Sequence, residues 1–256
     1  MKLNHTDQGS GPPVILMHGM FGSLSNLGSL ARELVPNYRV ISVDLRNHGN
    51  SPHEDAMDLA LMAADIVELM DDLDLAKAHL IGHSLGGKLG MEVALTCPDR
   101  LSSLVVADIA PVNYPQSNSH VVDGLRALDS ARIDSRKAAD QLLSDYIADT
   151  ATRAFILKNL QRTDDGSFRL KLNVKSIVAN YSSSLVAAPQ VGSFSGPVLF
   201  IKGELSAYIQ EKHYPLIKKL FPASELQVMD GVGHWLHAEK PELFNNSVMA
   251  FLNANG

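Results

Sequence analysis

The sequence predicts an α/β protein with a mostly parallel central sheet flanked by helices, and a helical insertion between two strands. Three observations point there. Short runs that are apolar on both faces alternate with longer segments of helical periodicity, as in a sheet covered on both sides. The longest such segment opposes its apolar residues to Asp and Glu. One stretch, residues 114–191, holds helical runs but offers no central strand.

In chain order, Val14-Ile15-Leu16-Met17 follows a Gly/Pro-rich turn and reads as a buried strand. Val40-Ile41-Ser42-Val43, His79-Leu80-Ile81, Leu104-Val105-Val106 and Val198-Leu199-Phe200-Ile201 read as the next four, and Leu226-Gln227-Val228-Met229 as a sixth nearer an edge. Between them, Ala56 to Leu73 places Leu59, Met62, Ile66, Leu69, Met70 and Leu73 at helical spacing. Leu85 to Leu95 follows the third strand directly, and Pro241 to Leu252 begins with Pro at a helix N-terminus. Within the insertion, Arg136 to Ala148 and Thr152 to Leu160 read as helices, with a break at Asp164-Asp165-Gly166. The expected division is a core of residues 1–113 and 192–256 with a helical cap of residues 114–191.

Composition narrows the function. A chain of 256 residues suffices for one α/β domain with an inserted cap. The net charge of −6, with no Lys/Arg cluster, argues against nucleic acid as a partner. No stretch approaches the roughly 20 apolar residues of a membrane span. The single cysteine, Cys97, excludes an intrachain disulfide framework. The cytoplasm is the expected location, although a leaderless sequence also fits a processed chain. The oligomeric state is open.

The sharpest motif is Gly82-His83-Ser84-Leu85-Gly86. A strand precedes it and a helix follows it, the setting in which G-x-S-x-G forms a nucleophile elbow. Such a turn raises the serine hydroxyl at the sheet edge, while Gly82 and Gly86 remove side chains that would meet neighbouring backbone. Gly87 lets the helix pack closely on the strand. The helix N-terminus beside Ser84 favours developing negative charge. Read alone, Ser84 would be a helix cap. The candidate base is His234, on the glycine-flanked loop Gly231-Val232-Gly233-His234 after the last strand. His237, at a helix start, is its rival and fits packing or capping better.

Two backbone amides are the expected oxyanion donors: Leu85, after the nucleophile, and Met20, in His18-Gly19-Met20-Phe21-Gly22, with Phe21 as an alternative to Met20. His18 is expected to shape that loop. For the acid, Asp108 ends an apolar strand, where a lone carboxylate is costly to bury without a partner. Glu204 is the alternative, and Ser206 can assist by hydrogen bonding. Asp44-Leu45-Arg46-Asn47-His48-Gly49-Asn50-Ser51 reads as a fixed loop with internal hydrogen bonds, and no histidine spacing suggests a metal. Phe21, Trp235 and Tyr208 are the expected substrate-binding residues, with Tyr114, Phe155 and Tyr181 as further aromatic candidates. Arg126, Arg132 and Lys158 fit solvated surface charges better than ligands of an anionic substrate.

Gly82-His83-Ser84-Leu85-Gly86-Gly87, His18-Gly19, Asp44 to Ser51 and Gly233-His234-Trp235 together resemble the α/β-hydrolase superfamily over nearly the whole chain. More narrowly, His18 to Ser23, Arg46-Asn47-His48-Gly49, Asp108-Ile109-Ala110-Pro111-Val112 and His234 to Pro241 resemble the small bacterial esterases of the YbfF type. The resemblance implies hydrolysis of carboxylic esters, extending to acyl-CoA thioesters, without a cofactor. It also implies an acid at Asp108. Ser206 departs from the superfamily's commoner Asp, in keeping with this subgroup.

A small-molecule acyl ester or thioester is therefore the expected substrate, cleaved through an acyl-enzyme on Ser84. A serine nucleophile argues against dehalogenase and epoxide hydrolase chemistry, which in this fold use Asp. Carbon–carbon bond hydrolysis and cofactorless haloperoxidase chemistry share the serine and stay open. A non-catalytic small-molecule receptor on the same scaffold is the contrasting alternative.

Overall fold

A computed structural model describes residues 1–115, 119–190 and 192–255. In chain order these form β1 (His5–Gln8), β2 (Pro13–Met17), α1 (Gly28–Leu34), β3 (Arg39–Val43), α2 (Leu59–Asp72), β4 (Ala78–His83), α3 (Leu85–Thr96) and β5 (Leu101–Ala107). Next come α4 (Ser119–Ser130), α5 (Arg136–Ser144), α6 (Thr150–Leu157), β6 (Leu160–Arg162), β7 (Phe168–Leu170), α7 (Val174–Ala179) and a π-helical turn (Ser182–Val186). The chain ends with β8 (Val198–Gly203), α8 (Tyr214–Leu220), β9 (Ser224–Met229), α9 (Leu236–Glu239) and α10 (Pro241–Asn255).

Seven strands form the central sheet in the order β1-β3-β2-β4-β5-β8-β9. All neighbours are parallel except β1, which pairs antiparallel with β3. Alternation along the strands divides the core in two. Ile15, Met17, Ile41, Leu80, Val106 and Phe200 face α2 and α3, meeting Met62, Ile66, Leu69 and Leu89. Val14, Leu16, Val40, Ile81, Val105 and Ile201 face α1 and α10, meeting Leu30, Leu34, Phe244, Val248 and Leu252. Both faces are covered, so these strands are mostly apolar, and the buried polar pair His79 and Ser103 is hydrogen-bonded across β4 and β5 at 2.8 Å. At the β9 edge, Leu226 and Val228 stay exposed.

The structure corrects several sequence boundaries. The helix expected from Ala56 begins at Leu59, because the Asp58 carboxylate accepts the Leu61 N–H at 2.8 Å and caps it. The run expected over Arg136 to Ala148 is helical only to Ser144. The next helix starts at Thr150, capped by Asp149, and ends at Leu157, so Leu160 opens a strand instead. Asp164-Asp165-Gly166 is the turn of an antiparallel hairpin, β6–β7, with Gly166 at φ +82°. Strands of three residues are too short for a period-2 pattern to register. Residues 116–118 and Val191, within the expected cap, lie outside the described residues.

The segment between β5 and β8 is fastened to the core by named polar contacts. Asn47 Nδ2 donates to Ser176 Oγ at 3.0 Å, and His48 forms a β-bridge with Leu172. Lys88, on α3 and fully buried, donates to the carbonyls of Val112 (2.9 Å), Val186 (3.1 Å) and Ala187. Burial pushes this lysine down to about 7, since the ammonium has lost its water.

Candidate active site

Ser84 stands between the end of β4 and the start of α3, at φ 51° and ψ −113°. A positive φ is strained in a serine and persists only where the surroundings fix it. Here the Ser84 N–H donates to the Ala107 carbonyl at 2.9 Å, and the glycines leave room for the turn. A Cβ on Gly82 would lie 2.1 Å from the Gly86 carbonyl oxygen, and one on Gly86 would lie 2.3 Å from that of Met17. Both obstacles are backbone, which cannot swing aside. Leu85 is the first residue of α3, so its N–H has no acceptor within the helix.

Asp108 follows β5, also at positive φ (53°), and is fully buried. Its carboxylate is saturated with donors. Oδ1 accepts the Gly203 N–H at 3.1 Å, while Oδ2 accepts the Ser206 hydroxyl and His234 Nδ1, the latter at 2.7 Å. This partner set offsets the desolvation of the charge. It also fixes the His234 tautomer: Nδ1 carries the proton, and Nε2 is left with its lone pair. Glu204 is elsewhere. Its Oε2 accepts the Gly231 N–H at 2.7 Å, bracing the loop that carries His234. Glu239 braces the same loop through the N–H groups of Gly233 (2.9 Å) and Trp235 (3.1 Å).

The residue before the serine also holds this loop. His83 Nε2 donates to the His234 carbonyl at 2.8 Å, and Tyr208 stacks on the His234 ring with centroids 4.1 Å apart. His237 packs on His83 at 4.5 Å, and burial takes it down to about 4. It does not reach Asp108. Its Nδ1 has no hydrogen-bond partner among the described residues.

Ser84 and His234 line one cleft of about 230 Å³, together with Gly19, Met20 and Phe21 from the loop after β2. Tyr208, Trp235 and Phe155 supply its aromatic walls, and Trp235 packs on Phe155 at 4.2 Å. Tyr114 and Tyr181 are not among its lining residues. They border a second cavity of about 370 Å³, which also includes Tyr208. Arg126 pairs with Asp123, and Arg132 with Asp134 and Asp165, all on the surface. Lys158 is exposed as well.

The loop after β2 treats the amides of Met20 and Phe21, the two expected alternatives, differently. The Phe21 N–H is engaged: it donates to His48 Nε2 at 3.2 Å. His48 is set up to accept, because its Nδ1–H donates to the Arg46 carbonyl at 2.8 Å. Burial, reinforced by neighbouring His18, takes His48 down to about 3, so it stays neutral. The Met20 N–H, by contrast, has no acceptor among the described residues. His18 follows the same logic, with Nδ1–H on the Gly19 carbonyl (2.7 Å), Nε2 accepting the Leu45 N–H (3.0 Å), and burial taking it to about 4. Asp44 organises the neighbouring loop, accepting from Leu24 N–H (2.7 Å), Asn50 N–H (2.9 Å) and Asn4 Nδ2 (2.7 Å).

Sequence reasoning missed three contributors: His83, Glu239 and the acceptor role of His48. The first had a local signal, a polar residue at the buried end of a strand. The others act on residues whose proximity only the fold creates.

A family model described as the alpha/beta hydrolase fold matches residues 12–241. The chain is 35% identical over 259 residues to Esterase YbfF of Escherichia coli, covering 99% of this chain and 100% of that protein. It is 36% identical over 253 residues to the sn-1-specific diacylglycerol lipase ABHD11 of Xenopus laevis, covering 95% of this chain and 80% of that protein. Among solved structures, a marine microorganism esterase superposes with a TM-score of 0.93 at 38% identity, covering 98% of this chain and 99% of that one.

Proposed function

This chain belongs to the α/β-hydrolase fold family and is a carboxylic ester hydrolase, and from that premise we propose that it works through an acyl-enzyme formed on Ser84. The observation that carries the proposal is the hydrogen bond from His234 Nδ1 to the buried Asp108 carboxylate, in a ring that shares its cleft with Ser84.

In this reading Ser84 Oγ attacks the ester carbonyl while His234 Nε2 takes its proton. The carbonyl oxygen becomes an oxyanion and is met by the N–H groups of Leu85 and Met20. Collapse of the tetrahedral species breaks the bond to the alkoxy group, which leaves as alcohol with the proton from His234. Water then gives a proton to the same nitrogen and attacks the acyl-serine. The second collapse releases the acid and returns the proton to Ser84. Asp108 stays ionised throughout, holding the ring and stabilising the imidazolium. Ser206 supports Asp108 through its hydroxyl. Side chains and water handle every proton, so this cycle calls for no cofactor.

Phe21, Trp235 and Tyr208 are read as the walls that hold the acyl or alkyl part of the substrate. Residues 114–191 are read as a cap, since Phe155 and Ile156 of α6 line the same cleft as Ser84. The same chemistry extends to acyl-CoA thioesters, whose leaving group is the better one. The single cysteine keeps the cytoplasm as the proposed compartment.

The test is a panel of p-nitrophenyl esters of graded chain length beside acyl-CoAs, with wild type and Ser84→Ala. Turnover by wild type and none by the variant is expected. Turnover that survives in Ser84→Ala overturns the acyl-enzyme, and esters cleaved without any acyl-CoA remove the thioester extension.

A further inference from the structure

Phe21 is a bulky residue at φ 61°, in the left-handed region, one residue after the Met20 amide. A conformation of this kind is held only when its surroundings determine it more than once. The hydrogen bonds around residues 19–22 do so, one rigid peptide plane at a time. The plane joining Gly19 to Met20 carries the Gly19 carbonyl and the Met20 N–H. That carbonyl accepts His18 Nδ1–H at 2.7 Å and the Gly22 N–H at 3.0 Å. The plane joining Met20 to Phe21 is pinned by the Phe21 N–H on His48 Nε2. The plane joining Phe21 to Gly22 is pinned by Asn159, whose Nδ2 donates to the Phe21 carbonyl at 2.7 Å.

Among these clamps, Asn159 comes from the segment between β5 and β8. It is 3% exposed and lies between α6 and β6. Its own placement is fixed. Its N–H donates to the Ile156 carbonyl (3.0 Å), its carbonyl accepts the Lys171 N–H (2.9 Å), and Nδ2 donates a second time to Ile156 (3.1 Å). Both partners of the side-chain nitrogen are carbonyls, so the amide orientation is determined. The contact then passes along the loop through planar units. Asn159 fixes the Phe21 carbonyl, whose plane carries the Gly22 N–H, which bonds the Gly19 carbonyl, whose plane carries the Met20 N–H.

We propose that Asn159 is a positioning residue for the oxyanion hole, aligning the Met20 amide only when the α6–β6 region is seated on the core. The inference rests on the reading of Met20 as an oxyanion donor given above. It makes hydrolysis depend on the insertion in a second way, beyond roofing the cleft. With α6–β6 displaced, Ser84, His234 and Asp108 keep their contacts, yet one oxyanion donor loses its aim.

The experiment compares wild type with Asn159→Asp, which keeps the shape but cannot donate, and Asn159→Ala. Two quantities are read: kcat and KM on a p-nitrophenyl ester, and the inhibition constant of an alkyl trifluoromethyl ketone. The ketone reports on the hole directly. Ser84 Oγ bonds to its carbonyl carbon, the serine proton passes to His234, and the carbonyl oxygen becomes the alkoxide the hole must hold.

Removal of one oxyanion donor costs about 10²–10³ in kcat, and misalignment costs less. Both variants should therefore lose about 10- to 100-fold in kcat and a comparable factor in ketone affinity, with KM within about threefold. Unchanged kcat and ketone affinity overturn the proposal. So does a rise in KM alone, which would mean that Asn159 only shapes the cleft. If Asn159→Ala does not fold, as judged by circular dichroism, Asn159→Ser supplies the second variant, its shorter hydroxyl unable to span the gap. A wild-type enzyme that turns over no ester overturns the underlying reading as well. Wild-type turnover lost in Ser84→Ala, with undiminished Asn159 variants, sinks this inference alone.

Discussion

The ring of His83 holds the main-chain carbonyl of His234, Nε2 to O at 2.8 Å, across 151 residues of sequence. The residue next to Ser84 therefore fixes the loop that carries His234. A carbonyl can only accept, so His83 must carry its proton on Nε2. Burial, with His237 and His234 adding to it, takes His83 well below its ordinary range and keeps it neutral.

Replacing that donor should loosen His234 without touching it. We expect His83→Phe to lower kcat by about 10- to 100-fold, since displacement of a catalytic group by about 1 Å costs up to 10². His83→Gln, whose amide nitrogen reaches about as far as Nε2, should recover most of the loss. Steady-state kinetics of the two variants decide the matter. Equal losses would mean that ring packing, not the hydrogen bond, is what counts.

Asp108 and Glu204 should separate sharply. Asp108→Asn keeps the shape but leaves the wrong partner for the His234 Nδ1–H, and about 10³–10⁴ in kcat should be lost. Glu204→Gln still has an oxygen for the Gly231 N–H and should lose less than about tenfold. The reverse ranking would reassign the acid.

At the elbow, Gly86→Ala places a methyl 2.3 Å from the Met17 carbonyl oxygen, inside two rigid elements. Chemical denaturation should show a loss of about 3 kcal/mol, at the upper end for overpacked sites. Gly28→Ala is the control, because a Cβ there meets nothing closer than the Arg32 side-chain tip at 3.8 Å. It should be neutral or slightly stabilising in its helix.

Acid should destabilise the fold through His18 and His48. Their folded values lie near 4 and 3, below the ordinary 6.5 of an unfolded chain. Between these limits the unfolded state binds more protons, so stability is full above about pH 6.5 and drains away as pH falls toward 4 and below. His48→Gln retains an acceptor for Phe21 but does not titrate. Its melting temperature should fall less steeply between pH 6.5 and 4 than that of wild type. Parallel slopes would exclude His48 as a contributor.

Lys88 should act with a pH dependence in another range. Lys88→Met strands three carbonyl acceptors, for an expected loss of about 2–4 kcal/mol. The folded lysine sits near 7 and the unfolded one near 10.5, so wild type gains stability as pH rises between them. The deficit of Lys88→Met should widen from pH 7 to pH 10 in urea titrations. A constant deficit would place the lysine's proton uptake outside that window.

Much of the architecture was legible because it is local. Parallel strands buried on both faces show as short, mostly apolar runs, and the elbow announces itself within five residues, since its glycines answer clashes with atoms a few positions away or on the next strand. The short hairpin β6–β7 was not legible, as three-residue strands carry no period. Asp58 shows how one side chain resets a boundary: the apolar pattern runs on past it, but its carboxylate captures the Leu61 N–H and starts the helix there.

By itself the sequence determined the fold class, the turn that raises Ser84, and the short set of residues able to serve as base, acid and oxyanion donors. Only the tertiary structure decided which partners those groups take. It gave the His234 ring to Asp108 and not Glu204, and it consumed the Phe21 amide on His48 while leaving that of Met20 unspent. The physical reason is that a hydrogen-bonding group is chemically the same wherever it stands in a chain. Which partner it takes depends on packing between segments far apart in sequence, and a linear pattern carries no record of that choice.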